Sequence, residues 1–202
     1  MYRLVSFTGA GISKASGIPT FEEMGDIRDK LSIDYFTENP ESFYNILLKM
    51  KKLINTVEPN AAHYALAEYD IPVVTMNIDG LHQKAGSKCV VEVHGNLEYV
   101  SCICGGKKLP FETVEDSVYC DLCKQPLCPS VVLYGGKIAC YRDADTLVRN
   151  TKELLVVGTS FYTSTSSIFV ASAKQAGAKI TIINDNAETK VLRYLQEVFI
   201  NR

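Results

Sequence analysis

The sequence predicts an α/β fold: a mostly parallel sheet with helices on both faces, plus a small inserted lobe rich in cysteine. Three observations carry this. Apolar runs of strand length, such as Leu154-Leu155-Val156-Val157 and Ile180-Thr181-Ile182-Ile183, alternate with helical stretches, as strands buried on both faces do. A glycine turn, Gly9-Ala10-Gly11, directly follows the first apolar run, which is the strand–turn–helix context of a phosphate-binding, Rossmann-like unit. Residues 98–130 hold five of the seven cysteines with little periodicity, as expected of a module organised by something other than an apolar core.

The elements follow in order. Leu4-Val5-Ser6-Phe7 reads as the first strand. Residues 21–50 turn polar (Glu22, Glu23, Asp26, Arg28, Asp29, Lys30), and helical spacing at Asp34-Tyr35-Phe36 and from Ser42 to Leu48 predicts two or three short helices. This excursion delays the second strand, Ile71 to Thr75, by roughly 60 residues, twice the ~30 of an ordinary dinucleotide unit, and suggests a lid over the ligand. Asn60 is a good N-cap for a helix over the alanine-rich stretch that follows. Further strands are expected at Val90 to Val93, Val131 to Tyr134, Leu154 to Val157 and Ile180 to Ile183. Helices are expected at Ala144 to Lys152, Ile168 to Ala176 and Thr189 to Phe199.

Composition narrows the function. A chain of 202 residues allows one domain with an insertion and a substantial core. Lys and Arg number 21 against 23 Asp and Glu, a net charge of −2, so nucleic acid is not the expected partner. No apolar run approaches the ~18 residues of a membrane helix. The N-terminal stretch lacks the long apolar segment of a secretion signal, so a cytoplasmic location with no membrane partner is expected. Seven cysteines without such a signal point to metal binding or redox chemistry rather than disulfides. Cys102-x-Cys104, fifteen residues, then Cys120-x2-Cys123 is the spacing of a structural zinc site, and four thiolates leave no open position for catalysis. Cys128 is an alternative to Cys102 as a ligand. Cys89 and Cys140 read as ordinary small core residues.

Polar groups end four strands: the glycine turn, Thr75-Met76-Asn77-Ile78-Asp79-Gly80, Gly158-Thr159-Ser160 and Asn184-Asp185-Asn186. Ligands of open α/β sheets sit at carboxyl strand ends, so their convergence marks the expected site.

On these segments the chain resembles the sirtuins, NAD-dependent protein deacylases, as a compact member of microbial type. The resemblance rests on Gly9 to Ser13 with Ser16-Gly17-Ile18-Pro19-Thr20-Phe21, on Pro59-Asn60-Ala61-Ala62-His63, on Thr75 to Gly86, on Glu92-Val93-His94-Gly95, and on Val157 to Ser160 with Ile182-Ile183-Asn184. It implies NAD as cosubstrate, structural zinc, and the acylated lysine of a protein as substrate. His94 would be the general base on the ribose hydroxyls, neutral at pH 7 as a base must be. Asn77 would sit beside the reacting ribose and act with it. Ile78 and Asp79 would hold the nicotinamide carboxamide, and Phe21 would cover the nicotinamide face. Gly9, Ala10 and Gly11 would cradle the pyrophosphate, Ser160 would donate to a phosphate, Asn184 would bind the adenosine ribose, and Ser13, Met76, Gly158 and Thr159 would complete the cofactor site. Val132, Tyr134, Gly135 and Gly136 would bind the substrate peptide as an added strand. The zinc ligands would be Cys102, Cys104, Cys120 and Cys123. His63 is expected in a structural hydrogen bond, and His82 as a positioning or surface residue. The expected division is a nucleotide-binding domain of 1–21, 51–97 and 131–202, with 22–50 and 98–130 as the small lobe.

Four positions depart from the family. Met76 stands where Gln is usual. Glu22-Glu23 replaces an arginine near the phosphates. Gly136 replaces a glutamate, and Phe161-Tyr162-Thr163-Ser164 lacks the usual Val and Pro. These departures leave two other readings open: an NAD hydrolase or ADP-ribosyltransferase on the same scaffold, and a non-catalytic NAD or ADP-ribose sensor.

Overall fold

The computed structural model describes residues 1–20, 23–27, 29–159 and 164–199. Strand β1 (Val5–Thr8) runs into Gly9 and a 3-10 helix, Ala10–Ser16. Two 3-10 turns, Gly25–Ile27 and Asp29–Leu31, lead to α1 (Ile33–Glu38), which Ser32 caps by accepting the Tyr35 amide. Helix α2 (Pro40–Thr56) starts on a proline, whose missing N–H costs nothing in a first turn. Next come α3 (Ala61–Glu68), β2 (Val73–Thr75), α4 (Leu81–Lys84) and β3 (Val90–Glu92). The cysteine-rich segment supplies β4 (Tyr99–Ser101), β5 (Lys108–Pro110), α5 (Thr113–Asp116) and β6 (Cys128–Pro129). The chain closes with α6 (Tyr141–Arg149), β7 (Glu153–Val157), α7 (Ser164–Gln175), β8 (Lys179–Ile183) and α8 (Ala187–Phe199).

The main sheet has the order β3-β2-β1-β7-β8, every pairing parallel. Period-two alternation divides its side chains between two cores. Leu4, Val73, Leu155 and Val157 meet α3 and α8 on one face, while Val5, Phe7, Val74, Leu154 and Val156 meet α6 and α7 on the other. From β1 the chain goes outward through β2 to β3, then returns to β7 on the opposite side of β1. Parallel strands therefore present all their carboxyl ends at one edge, and the order reverses between β1 and β7, where α/β folds open a crevice.

A third core lies apart. Leu31, Phe43, Tyr44 and Leu47 pack against Leu97, Val100, Cys102, Phe111, Cys120, Leu127 and Val131, so α2 and the cysteine segment share one interior. Phe36, Phe43 and Tyr44 meet edge to face with centroids 5.0–6.1 Å apart.

Three expectations need correction. Of the two or three short helices expected over residues 21–50, α1 is short, but the stretch from Ser42 to Leu48 belongs to a 17-residue helix running to Thr56, because Met50 and Ile54 continue the apolar stripe past Leu48. Val131 to Tyr134 is not a strand of the main sheet. It is extended chain with a single bridge, Ser32 to Tyr134. Cys89 is exposed and Cys140 half-buried, so neither is a full core residue.

Candidate active site

The glycine turn and the end of β7 touch backbone to backbone. Gly9 N–H donates to Val157 O at 2.9 Å and Gly11 N–H to Gly158 O at 2.8 Å. A Cβ on Gly11 would lie 2.7 Å from Gly158 Cα, and one on Gly9 would lie 2.8 Å from Gly158 O. Gly158 has φ +64, the left-handed region that glycine enters at least cost. Thr159 N–H donates to Asn184 Oδ1 at 3.0 Å, which brings the end of β8 into the same floor. The result is a cradle with backbone walls at the switch point, packed so closely that a Cβ on Gly9, Gly11 or Gly158 would strike backbone.

Beside it sits a buried polar network. Ser13 Oγ donates to Asp79 Oδ2 at 2.7 Å, and Asn77 Nδ2 reaches both Ser13 Oγ (3.1 Å) and Asp79 Oδ2 (3.2 Å). Leu81 N–H donates to Asp79 Oδ1 at 3.0 Å. The carboxylate is thus fixed by three donors, leaving it able to orient an amide. Asn60 anchors this side: its Nδ2 donates to Ile12 O and Ser16 Oγ, and its Oδ1 accepts the Ala62 amide at the start of α3. His63 is fully buried. Its Nδ1 accepts the Asn60 amide at 3.3 Å, so Nε2 carries the proton, and burial pushes its pKa down to about 4. This is the structural role expected of it. His82 is buried too, its Nε2 3.0 Å from Thr8 Oγ1, so the surface alternative falls away.

His94 follows β3. Its Nδ1 lies 3.0 Å from Met76 O, and a carbonyl only accepts, so Nδ1 bears the proton and Nε2 carries the lone pair. Burial lowers its pKa, opposed by that hydrogen bond. A neutral imidazole with a defined basic nitrogen is what general-base work requires. Met76 itself is held by its N–H on Thr8 O. Gly95 then turns with φ +72, and Ser130 O fills the place a Cβ would take, 2.0 Å away. That close approach lets Val132 N–H donate to His94 O at 2.8 Å, joining the basic residue to the Val132–Gly136 segment. Gly136 N–H closes a turn on Leu133 O.

Phe21, Glu22, Arg28 and Ser160 to Thr163 lie outside the described residues. Glu23, expected near phosphates, instead accepts from Thr20 N (2.8 Å) and Thr20 Oγ1 (3.0 Å) and pairs with Lys14 at 2.8 Å.

The Cys102, Cys104, Cys120 and Cys123 sulfurs all lie within 4.8 Å of one another, and Cys128 is not among them, so the choice between Cys102 and Cys128 goes to Cys102. A tetrahedral zinc with Zn–S near 2.3 Å needs sulfurs about 3.8 Å apart. Cys104 and Cys120 stand at 3.8 Å, with the pairs Cys102–Cys104 and Cys102–Cys123 tighter at 3.1 and 3.2 Å. The donor set fits a structural zinc ion. Purified protein is expected to carry close to one zinc per chain by elemental analysis, and stripping it should lower the thermal midpoint. Less than half an equivalent without chelator exposure would contradict this.

The sequence reading did not single out Ile33, whose Cδ1 lies 3.7 Å from where a Cβ on Gly135 would be; an exposed apolar residue opening a helix carries no local signal.

The model of the Sir2 family matches residues 9–164. The chain is 36% identical over 197 residues to a protein named NAD-dependent protein deacetylase 1 from Pyrobaculum aerophilum, covering 89% of this chain and 78% of that one. It is 41% identical over 173 residues to NAD-dependent protein deacetylase 2 of Caldanaerobacter subterraneus, with coverages of 76% and 69%. Among solved structures, a Sir2–p53 peptide–NAD+ complex matches with TM-score 0.88 at 30% identity, over 98% of this chain and 94% of that one.

Proposed function

This chain belongs to the Sir2 family, and we propose that it removes acyl groups from protein lysine at the expense of NAD, releasing nicotinamide and acyl-ADP-ribose. The observation that carries the reading is the pairing of a base with a fixed amide-orienting cluster. His94 presents an unprotonated Nε2, while Ser13, Asn77 and Asp79 share one buried network at the adjoining strand end.

When bound, NAD supplies a glycosidic bond to a good leaving group and a ribose hydroxyl that takes up the acyl group. The rest falls to the chain's own residues. Asp79, locked by the Leu81 amide and the Ser13 hydroxyl, orients the nicotinamide carboxamide together with Ile78. Asn77 sits beside the reacting ribose. His94 Nε2 takes the proton of a ribose hydroxyl, and Met76 O steadies the imidazolium so formed through Nδ1–H. Gly9, Ala10, Gly11, Gly158 and Thr159 hold the phosphates, with Asn184 at the adenosine ribose; Phe21 and Ser160 complete the set by resemblance. Val132, Tyr134, Gly135 and Gly136 receive the substrate peptide as an added strand.

Cys102, Cys104, Cys120 and Cys123 hold zinc in a structural role. We take 1–21, 51–97 and 131–202 as the nucleotide-binding domain and 22–50 with 98–130 as the small lobe; the third core joins α2 to the cysteine segment, with α2 crossing the 50/51 boundary and Leu97 and Val131 packing from the nucleotide side. No helix among the described residues is long and apolar enough to cross a membrane. A cytoplasmic location is supported by the cysteine usage, four of the seven clustered as a metal site would need rather than spread as disulfide pairs.

The test is incubation with NAD and acetyl-lysine peptides, reading nicotinamide and acyl-ADP-ribose by mass spectrometry. Nicotinamide release is expected only with the acylated peptide, with acyl-ADP-ribose formed in equal amount. Release without any acyl peptide overturns the reading in favour of NAD hydrolysis. Tight NAD binding with no turnover across several acyl chains overturns it in favour of a sensor.

A further inference from the structure

The segment proposed to take the substrate peptide is itself paired on one edge. Tyr134 N–H donates to Leu31 O at 3.0 Å, and Ile33 N–H donates to Tyr134 O at 3.2 Å. Val132 N–H is spent on His94 O. By the pleat, Leu133 and Gly135 direct their backbone groups to the opposite edge. Among the described residues Leu133 N–H, Gly135 N–H and Gly135 O make no backbone hydrogen bond, so that edge is the one open to an added strand.

The bridge between Ser32 and Tyr134 puts Ile33 and Gly135 on a common face. There Ile33 stays 41% exposed, and its Cδ1 lies 3.7 Å from where a Cβ on Gly135 would be. Gly135 has φ +89, which keeps the position in glycine's range and the space above it open. Strands lie about 4.8 Å apart, so an atom above Gly135 is within side-chain reach of a strand added on the far edge. A side chain at 135 would screen Ile33 from such a strand. Glycine at 136, whose Cβ would meet Leu133 O at 2.9 Å, places no charge beside it.

We propose that Ile33, reaching across Gly135, is a specificity-determining residue that contacts a side chain flanking the acyl-lysine and selects an apolar one. This rests on the deacylase reading and names a substrate class for it: acylated lysines next to an aliphatic or aromatic residue. Ile33 contributes shape and apolar area, with no part in the chemistry. It opens α1 as an exposed first-turn residue, and Ser32 supplies the cap, so substitutions there leave the fold in place.

The experiment uses acetyl-lysine peptides identical except for Leu, Ser, Asp or Lys at each of the two positions on either side of the acyl-lysine. At one of these positions Leu is expected to raise kcat/KM over Ser or Asp by about 3- to 10-fold, through KM. Ile33→Ser should flatten that preference without moving the KM for NAD, and Ile33→Glu should shift it toward Lys. Direct binding of the same peptides, read by fluorescence anisotropy without NAD, separates the two claims. An apolar preference in binding that vanishes in Ile33→Ser, with no nicotinamide release at all, sinks the deacylase reading and keeps the role of Ile33. Turnover with a preference unchanged in Ile33→Ser, or with every peptide weakened equally, sinks the role of Ile33 alone.

Discussion

Replacing His94 with alanine is expected to lower acyl-peptide-dependent nicotinamide release by roughly 10²- to 10⁴-fold, the usual contribution of a positioned general base. The thermal midpoint should stay close to that of the unaltered protein, because the side chain makes one hydrogen bond, to Met76 O, at the rim of the sheet. The pH profile of the unaltered enzyme gives an independent check. The base works only when neutral, so activity falls as pH drops through the pKa of His94. Burial lowers that pKa, so the acidic limb should lie below 6.5, the ordinary histidine value. A limb at or above 6.5, or an alanine variant within threefold of the parent, would remove His94 from the role of base.

The second large effect is expected at Gly158. Alanine there would set a Cβ 2.2 Å from Ile12 N and 2.5 Å from Gly11 C, with φ held at +64. These are backbone atoms, which cannot step aside as a flexible side chain would, so the glycine turn must be driven away from β7. Gly158→Ala should raise the KM for NAD by about 100-fold, because the contacts that hold the glycine turn against β7, Gly9 N–H on Val157 O and Gly11 N–H on Gly158 O, cannot form with the turn displaced. Gly177→Ala is the matched control. It carries the same left-handed penalty of about 1–2 kcal/mol at φ +91, but nothing lies within 4 Å of its added methyl. That variant should be less stable with an unchanged KM for NAD. Equal effects on NAD from both substitutions would mean that strain, rather than closure of the cradle, explains the loss.

Much of this was legible in the chain because the signals are local. Buried parallel strands advertise themselves as short apolar runs, and β1, β7 and β8 lie within a residue of where those runs stand. The glycine turn is legible for the same reason: only glycine tolerates backbone approach at Gly9, Gly11 and Gly158. The four-cysteine cluster was legible as two close pairs, but not that Cys102 rather than Cys128 joins it. In the shortened first knuckle Gly106 N–H turns back onto Cys102 O at 2.9 Å, with Gly106 at φ +61. Val131 to Tyr134 misled because a run of apolar residues looks alike whether it joins a sheet or is gripped from both ends. Here His94 holds one end and residues 31–33 the other, and both partners are distant in sequence. His82 could not be placed either: its burial follows from Thr8, which reaches it across 74 positions.

The third core gives the protein an order of failure. Its interior includes two of the four clustered cysteines, Cys102 and Cys120, packed with Phe43, Tyr44 and Leu31. The strands around it are only two or three residues long and cannot stand alone. Leu31 also carries the carbonyl that grips Tyr134, whereas the cradle between β1 and β7 is built from the main sheet and meets the lobe at its margin, through the Lys14–Glu23 pair and Ile78. Damage to the cysteine cluster therefore travels first to the groove for the protein substrate and last to the nucleotide crevice. A metal-starved molecule would still recognise the dinucleotide while having lost its grip on what it is meant to act upon.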